Sequence, residues 1–524
     1  MKKTLLRLTA LSCILALFTC LMSGLTLAVG GTCGDGLEWS YDNGNITVSG
    51  EGEMDDYADI SETPWADLSM HITGVTVSDG VRSIGSCAFS DLYNLTRVSL
   101  GSGLRRIGDM AFSDCHILAD VKLPDGLTSI GEAAFASDYA IEHITVPASV
   151  SYIGAGAFSD MSSLAEIAVE SGSEYFTASD GALYDIGVSE LYACPGGKTG
   201  SFIMPDTVRS IADYALMGCK ISSLNMPASL KTIGEAAFSL CSELRHIIIP
   251  RGVVSIGESA FTECSALSSI SVVNANTHYS AFDGILYSAD RSTLVCYPMG
   301  KEGKTFTVPD TVKSINGYGF AYSMLENVTV GDSVEEIGSY AFLLCEKLRR
   351  VNVGGGIVTV GDYAFSNCIE LTELVLPASC ETVGTGAFAW CEKLESVTLN
   401  SPAYVGSAAF FWCTNLKRVE FLCDAPSDVG DDLFYACEDA MIYYPAGCAG
   451  WTTPLWHNYL TTPIGGAPSS GDVNSDGKVN NVDLVSLARF VVGLGEINEA
   501  AADMDGSGVV NNTDLVMLAR KIVL

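Results

Sequence analysis

Residues Cys241–Phe261 read CSELRHIIIPRGVVSIGESAF, and this stretch decides the fold. Leu244, Ile247 and Ile249 stand in an L-x-x-I-x-I pattern. Side chains alternate along a strand, so Ile247 and Ile249 share its inner face. Pro250 has no N–H for a ladder hydrogen bond and marks the strand's end. Val253 and Ile256 follow at one turn's spacing, Gly257 bends the chain, and Ala260 and Phe261 plug the interior. A single coil of this kind has no second layer. It buries its apolar face only against a neighbouring coil, so the pattern demands further copies of itself.

The copies are present. The phrase I-G-x-x-A-F returns with Phe at 89, 112, 135, 158, 238, 261, 320, 342, 365, 388, 410 and 434, and with Leu216 standing in once. Most steps are 22 to 24 residues; 158 to 216 and 261 to 320 are longer. Each long step reads as one ordinary period plus an insert of some 35 residues. Recurring Leu at a period of about 20–29 residues signals a solenoid of the leucine-rich class. The expectation is a β-rich leucine-rich-repeat solenoid of about 13 coils over 75–422, with two β-hairpin inserts near 170–204 and 273–308. Asp180-Gly-Ala-Leu-Tyr184 parallels Asp283-Gly-Ile-Leu-Tyr287 in the two inserts. Residues 29–74, with Trp39 and Trp65, and 423–463, with Trp451 and Trp456, read as caps over the end coils, which otherwise expose an apolar face.

The chain has eighteen cysteines, of which Cys13 and Cys20 lie in 1–28; nine of the other sixteen fall three residues after the repeat Phe or its stand-in: Cys115, Cys219, Cys241, Cys264, Cys345, Cys368, Cys391, Cys413 and Cys437. At the other four repeats the slot holds Leu92, Asp138, Met161 and Ser323. A slot that accepts all of these is a small buried space. Stacked coils hold equivalent Cβ atoms about 4.8 Å apart with parallel vectors, whereas a disulfide needs about 3.5–4.5 Å and converging ones. A ladder of thiols is the expectation, with Cys423–Cys448 the best candidate for a disulfide. Zinc is disfavoured, because no C-x₂-C pair occurs.

The two ends carry different signals. Lys2, Lys3 and Arg7 lead an uncharged stretch to Val29, with Thr26-Leu27-Ala28 as a small-residue cut site, so 1–28 reads as a secretory signal with no membrane span expected after cleavage; the alternative is an uncleaved anchor, since the stretch is long enough to span a bilayer. Asp and Glu number 62 against 28 Lys and Arg, a net charge of −34, which argues against nucleic acid as a partner. Residues 464–470 (IGGAPSS) form a short flexible linker. Beyond it, GDVNSDGKVNNVDL from Gly471 is answered by ADMDGSGVVNNTDL from Ala502. A twelve-residue calcium loop supplies oxygens from positions 1, 3, 5, 7, 9 and 12 with Gly at 6. The first copy places there Asp472, Asn474, Asp476, the Lys478 carbonyl, Asn480 and Asp483, with Gly477 at the turn. The second places Asp503, Asp505, Ser507, the Val509 carbonyl, Asn511 and Asp514, with Gly508. Two Ca²⁺ ions are expected, because calcium takes six to eight such hard oxygens. A helical stripe follows each loop: Leu484, Leu487, Ala488 and Val491, then Leu515, Leu518, Ala519 and Ile522.

Because the Pro, the I-G and the A-F keep phase from Val75 to Phe434, the array resembles the BspA-type leucine-rich repeat of bacterial surface proteins. Residues 471–524 resemble a type I dockerin, with Asp rather than Glu at position 12 of both loops and no clear entering helix. That resemblance implies a cohesin domain of a scaffoldin as partner, in a cellulosome-like complex of an anaerobic, fibre-degrading bacterium. It implies contacts through Asn481, Val482 and Arg489 in the first copy and Asn512, Thr513 and Arg520 in the second. The near-symmetry of the copies offers two docking faces, and Val482 against Thr513 breaks it.

No chemistry-bearing motif competes with this reading. There is no H-E-x-x-H among the six His and no G-x-S-x-G elbow. Gly197-Lys198-Thr199 and Gly303-Lys304-Thr305 lack the leading Gly of a phosphate loop and fall at like places in the inserts, so they read as repeated turns. The expected function is a secreted, non-catalytic binding or adhesion protein whose solenoid recognises a protein or glycan. The competing class is a polysaccharide-degrading enzyme or an accessory of one; its mark is a non-repeat domain of a hundred residues or more, and repeats, inserts and caps fill 34–463. Two surfaces are candidates for recognition. One is the outward row before each core position: Arg97, Asp120, His143, Glu166, Ser223, His246, Ser269, Asn327, Arg350, Glu373, Ser396 and Arg418. The other is Trp390 and Trp412 on successive coils, whose spacing suits stacking on sugar rings or packing between coils.

Overall fold

A computed structural model of the chain describes residues 29–400, 402–464, 473, 474, 478–495, 497, 498, 502 and 510–523. The segment 1–28, read as a secretory signal, and most of the linker lie outside the described residues. The chain forms two compact units, Met1–Lys198 and Thr199–Leu524.

Each coil has three sides, and two of them are β-ladders. The L-x-x-I-x-I segments make four-residue strands stacked in parallel register. His143–Val146 lies on Glu166–Val169 in the first unit. Glu373–Leu376 lies on Ser396–Leu399, which lies on Arg418–Phe421, in the second. Exposure alternates along His143–Val146 as the two-residue period requires. The I of I-G sits in a two-residue strand, as in Ser129-Ile130 on Tyr152-Ile153 and Thr359-Val360 on Thr382-Val383. The glycine that follows is forced by close approach: a Cβ on Gly361 would sit 2.5 Å from the Ser339 nitrogen of the preceding coil.

The third side, the arc around Phe, is neither helix nor strand. Residues two before and two after the Phe have left-handed backbones: Tyr340 (φ 59°) and Leu344 (54°) flank Phe342, and Tyr363 (51°) and Asn367 (59°) flank Phe365. Alternating hand turns every second N–H the same way. Thus Tyr340, Phe342 and Leu344 donate from N–H to the carbonyls of Asp362, Ala364 and Ser366, at 2.8, 2.7 and 2.9 Å. Such a ladder has a direction, so one end leaves carbonyls and the other leaves N–H groups, which need partners when buried. The end segments supply the matching chemistry. In the first unit the Trp65 indole Nε1–H, a donor only, gives to the Ala88 carbonyl at 2.9 Å, and the Tyr57 N–H gives to Ser86 at 3.0 Å. In the second unit the Tyr459 hydroxyl accepts from the Phe434 N–H at 3.5 Å.

The Phe side chains stack along the core. Ring centroids of Phe320, Phe342, Phe365, Phe388, Phe410 and Phe434 follow one another at 4.8–5.4 Å with planes within 12°. In the first unit Trp65 begins the series on Phe89 at 5.1 Å. Perpendicular rings end the stacks: Trp39 against Trp65 at 76° and Tyr459 against Phe434 at 84°.

The Phe carbonyl is left out of the directional ladder, and this is what the cysteines serve. Phe365 O accepts from the Cys368 N–H at 3.2 Å and from the Cys391 thiol of the next coil at 3.1 Å. The same S–H···O contact is made by Cys115, Cys264, Cys345, Cys368, Cys413 and Cys437, at 2.9–3.2 Å. All sixteen described cysteines carry thiols. That includes Cys423 and Cys448, the pair expected as a disulfide; the Cys423 Sγ turns instead to the Asp424 carbonyl at 3.1 Å. In the slot where a thiol is usual, Asp138 is fully buried. Its Oδ1 accepts from the Cys115 N–H at 2.8 Å, its Oδ2 has no partner among the described residues, and burial pushes its carboxyl up to about 9.

Among the described residues the solenoid winds about 17 turns, more than the 13 indicated by the 12 repeat Phe positions and their one stand-in. Residues read as caps and inserts add strands to the stack. Asn45–Val48 pair in parallel with Gly74–Val77, and Met441–Pro445 with Tyr459–Ile464. Each insert is an enlarged coil. It forms a three-stranded antiparallel meander rather than a hairpin: Phe176–Ser179, Ala182–Asp185 and Glu190–Ala193, then Tyr279–Phe282, Ile285–Ser288 and Thr293–Cys296. In the second, Thr293-Leu294 rejoins the short ladder on Ser314-Ile315, and Tyr297 takes the Phe place, stacked on Phe320 at 5.4 Å. Asp180-Gly181 (φ 50°, 74°) and Asp283-Gly284 (51°, 75°) make the tight primed turns. Lys198 Nζ clamps the first through the Asp180 carbonyl (2.7 Å), and Lys301 Nζ clamps the second through Asp283 (2.6 Å). The structural equivalent of Lys198 is therefore Lys301 and not Lys304, which pairs with Glu326 at 2.6 Å.

Candidate functional site

The C-terminal helices are Asn481–Val491 and Asn512–Val523. Asn480 caps the first: its side-chain oxygen accepts from the Val482 N–H at 2.9 Å. Asp483 completes a capping box, its Oδ2 accepting from the Asn480 N–H at 2.9 Å, while its Oδ1 takes the Asn474 N–H at 3.2 Å. The second copy repeats this, with Asp514 Oδ2 on the Asn511 N–H at 2.9 Å. Both carboxylates are fully buried. Val473, Leu487, Ala502 and Leu518 form the core beneath them, flanked by Leu484, Val491, Leu515 and Ile522. The Asn498 N–H closes the first loop's start onto that core through the Val473 carbonyl at 3.0 Å.

Of the expected calcium ligands, Asn474, Lys478, Asn480, Asp483, Asn511 and Asp514 are described; Asp472, Asp476, Asp503, Asp505, Ser507 and Val509 lie outside the described residues. No group of three His, Cys, Asp or Glu gathers among the described residues, because four of the six loop carboxylates fall outside them. The described donors fit a hard cation. They are all oxygens, and each loop brings a fully buried carboxylate to its twelfth position. Burying a carboxylate away from water costs several kcal/mol unless charge or hydrogen bonds offset it, roughly 2–7 kcal/mol for a polar group and more for a charge.

The residues expected to meet cohesin divide in two. Asn481 and Asn512 are exposed at the helix starts, and Arg489 is half-buried with its Nε donating to the Leu494 carbonyl at 3.2 Å. Val482, in the first turn beside the Asn480 cap, is 3 % exposed, so its side chain is not part of the outer surface. The side chains of Thr513 and Arg520 lie outside the described residues.

On the solenoid the outward row is in register from coil to coil. His143 faces Glu166 (3.8 Å), His246 Nδ1 meets Ser269 Oγ (2.8 Å), and Arg350 faces Glu373 (3.8 Å). Arg418 lies over the Tyr443 ring at 4.2 Å and pairs with Glu420 at 3.1 Å. These charges largely satisfy one another at the surface. Trp390 and Trp412 are exposed and are joined by Phe411 and Tyr435, which sequence reasoning missed because neither occupies the Trp repeat position. Among the described residues no helix is long and apolar enough to cross a membrane.

Comparison with known proteins agrees with this geometry. Residues 60–180, 185–285 and 313–441 match the BspA type leucine rich repeat region in six copies, and residues 470–523 match the dockerin type I domain. Type I dockerins bind calcium and take cohesins as partners, and both families are typically extracellular or surface-associated. No curated protein matches the chain significantly. Among solved structures, the chain is similar to a leucine rich cell surface protein from Faecalibacterium prausnitzii (24% identity over 74% of this chain and 93% of that one, TM-score 0.41). It is also similar to a leucine-rich repeat protein from Eubacterium ventriosum (22%, 82% and 99%, TM-score 0.39) and to the pneumococcal vaccine antigen PcpA (19%, 80% and 95%, TM-score 0.39). The repeat match covers well over half of the residues, and so the chain belongs to the BspA-type leucine-rich repeat family and carries a type I dockerin region.

Proposed function

We propose that this is a secreted, non-catalytic binding protein in which the solenoid recognises a ligand and the C-terminal helix pair docks to a cohesin of a scaffoldin in two-calcium form. One observation carries the reading: Asp483 and Asp514, the twelfth residues of the two loops, also hold the helix starts through Asn480 and Asn511. The same carboxylate thus belongs to a loop and to a helix cap. Ordering the loop fixes the helix surface that bears Asn481 and Arg489, or Asn512 and Arg520, so that metal binding and folding are linked. When bound, calcium supplies positive charge beside the two buried carboxylates. Export follows from 1–28, with cleavage after Ala28 releasing the chain.

The test is capture of the full chain on immobilised type I cohesins. Capture is expected in calcium, is expected to vanish in a chelator and to return when calcium is restored. R489A and R520A are each expected to weaken it and together to abolish it. Capture that ignores the chelator, or no capture by any cohesin in calcium, contradicts the proposal.

A further inference from the structure

Trp390, Phe411, Trp412 and Tyr435 form an aromatic surface on three consecutive coils. Trp390 is 37 %, Trp412 45 % and Tyr435 54 % exposed. Ring orientation separates the two Trp from the other aromatic rows. In the Tyr318–Tyr340–Tyr363 row, planes lie within 11° of one another at 4.9 and 5.4 Å, so neighbours cover each ring's faces and the edges meet water. Trp390 instead stands at 68° to Phe411, and Trp412 is tilted 36° from it, so neither indole is sandwiched in that way.

We propose that Trp390 and Trp412 form a stacking platform for the pyranose rings of a neutral polysaccharide. The inference rests on the solenoid being a binding body and is independent of docking through the helix pair. The C–H face of a pyranose is flat and apolar and matches an indole face, while its hydroxyls need polar partners. Exposed Glu392, Thr414, Asn415 and Glu438 follow the aromatic positions within a few residues on the same coils. Successive coils rise by about 4.8 Å, close to the length of one sugar residue in a chain. A neutral chain is favoured over a polyanion because the rim carries carboxylates and the chain bears a net charge of −34.

The test is native affinity electrophoresis of the full chain through gels containing neutral β-glucan, xylan or glucomannan, with polygalacturonate as the anionic control, and pull-down on insoluble cellulose. At least one neutral glycan is expected to retain the chain. The W390A/W412A variant is expected to lose about tenfold or more in affinity with its melting temperature unchanged. W390F/W412F, which keeps rings at both sites, is expected to retain more binding than the alanine variant. Glycan retention is expected to persist in the chelator that abolishes cohesin capture, which separates failure of this inference from failure of docking. No retention by any neutral glycan, equal retention of the alanine variant, preference for polygalacturonate, or an effect of the variant on self-association alone would overturn it.

Discussion

The stacked coils from Phe320 to Phe434 and the helix pair after Asn480 are held together in opposite ways. In the coils Phe342, Phe365, Phe388 and Phe410 are each covered on both sides by another Phe, and each of their backbone arcs donates three hydrogen bonds to the next. Repetition itself supplies the stability, as a sum over neighbouring interfaces. Among the described residues the helix pair has five buried apolar side chains, Val473, Val482, Leu487, Ala502 and Leu518, with helices of 11 and 12 residues. Helices shorter than about 12–15 residues are marginal alone, and small cores need a staple such as a metal. On the proposed function one region is indifferent to cations and the other depends on them, with the buried carboxylates Asp483 and Asp514 in the dependent one.

The largest expected effect comes from breaking the dependent region alone. Replacing Asp483 and Asp514 together with Ala should abolish calcium binding and cohesin capture. The main unfolding transition of the chain should stay in place, as calorimetry would show. Breaking the repeated region should do the reverse. Phe342→Ala leaves a gap between Phe320 and Phe365 and should cost about 3–5 kcal/mol in urea unfolding while leaving calcium affinity unchanged.

Asp138 sharpens the contrast within the first unit. Its carboxyl is raised to about 9 in the fold from an ordinary 3.8, so the folded form holds a proton that the unfolded form releases. Its contribution is complete below about pH 4 and is lost as pH rises towards 9, at about 1.4 kcal/mol per pH unit. Asp138→Ser, which copies the residue at Ser323, should flatten that slope and raise the melting temperature at pH 8 relative to the parent. The smallest effect concerns the thiols. Cys391→Val removes the donor to the Phe365 carbonyl and should cost about 1 kcal/mol, whereas Cys391→Ser keeps a donor and should cost less of the hydrogen-bond contribution.

The repeat was legible because its apolar positions keep phase: Leu244, Ile247, Ile249, Ile256 and Phe261 all lie in the core or at its edge. The helix pair was legible because an Asp/Asn/Gly loop pattern recurs, each copy followed by an apolar stripe at helical spacing. The directional arc was not legible. Its left-handed sites hold Tyr340, Leu344, Glu263 and Trp412, residues without the Gly that normally signals such a backbone. The stack imposes the conformation through hydrogen bonds to the next coil, which lie some 22 residues away in sequence. The inserts hid their coil for a related reason: Tyr297 replaces the Phe, and the Leu294 that replaces the I of I-G is followed by no Gly. Val482 looked like a surface residue from its loop position, yet it is buried in the first turn beside the Asn480 cap.

Hydrogen–deuterium exchange of the full chain in calcium and in chelator tests the central claim most directly. Peptides from 471–523 should lose protection when calcium is removed, while peptides from 75–434 should exchange identically in both. Equal protection of the helix pair in both conditions, or loss of protection in the coils along with it, would contradict the account.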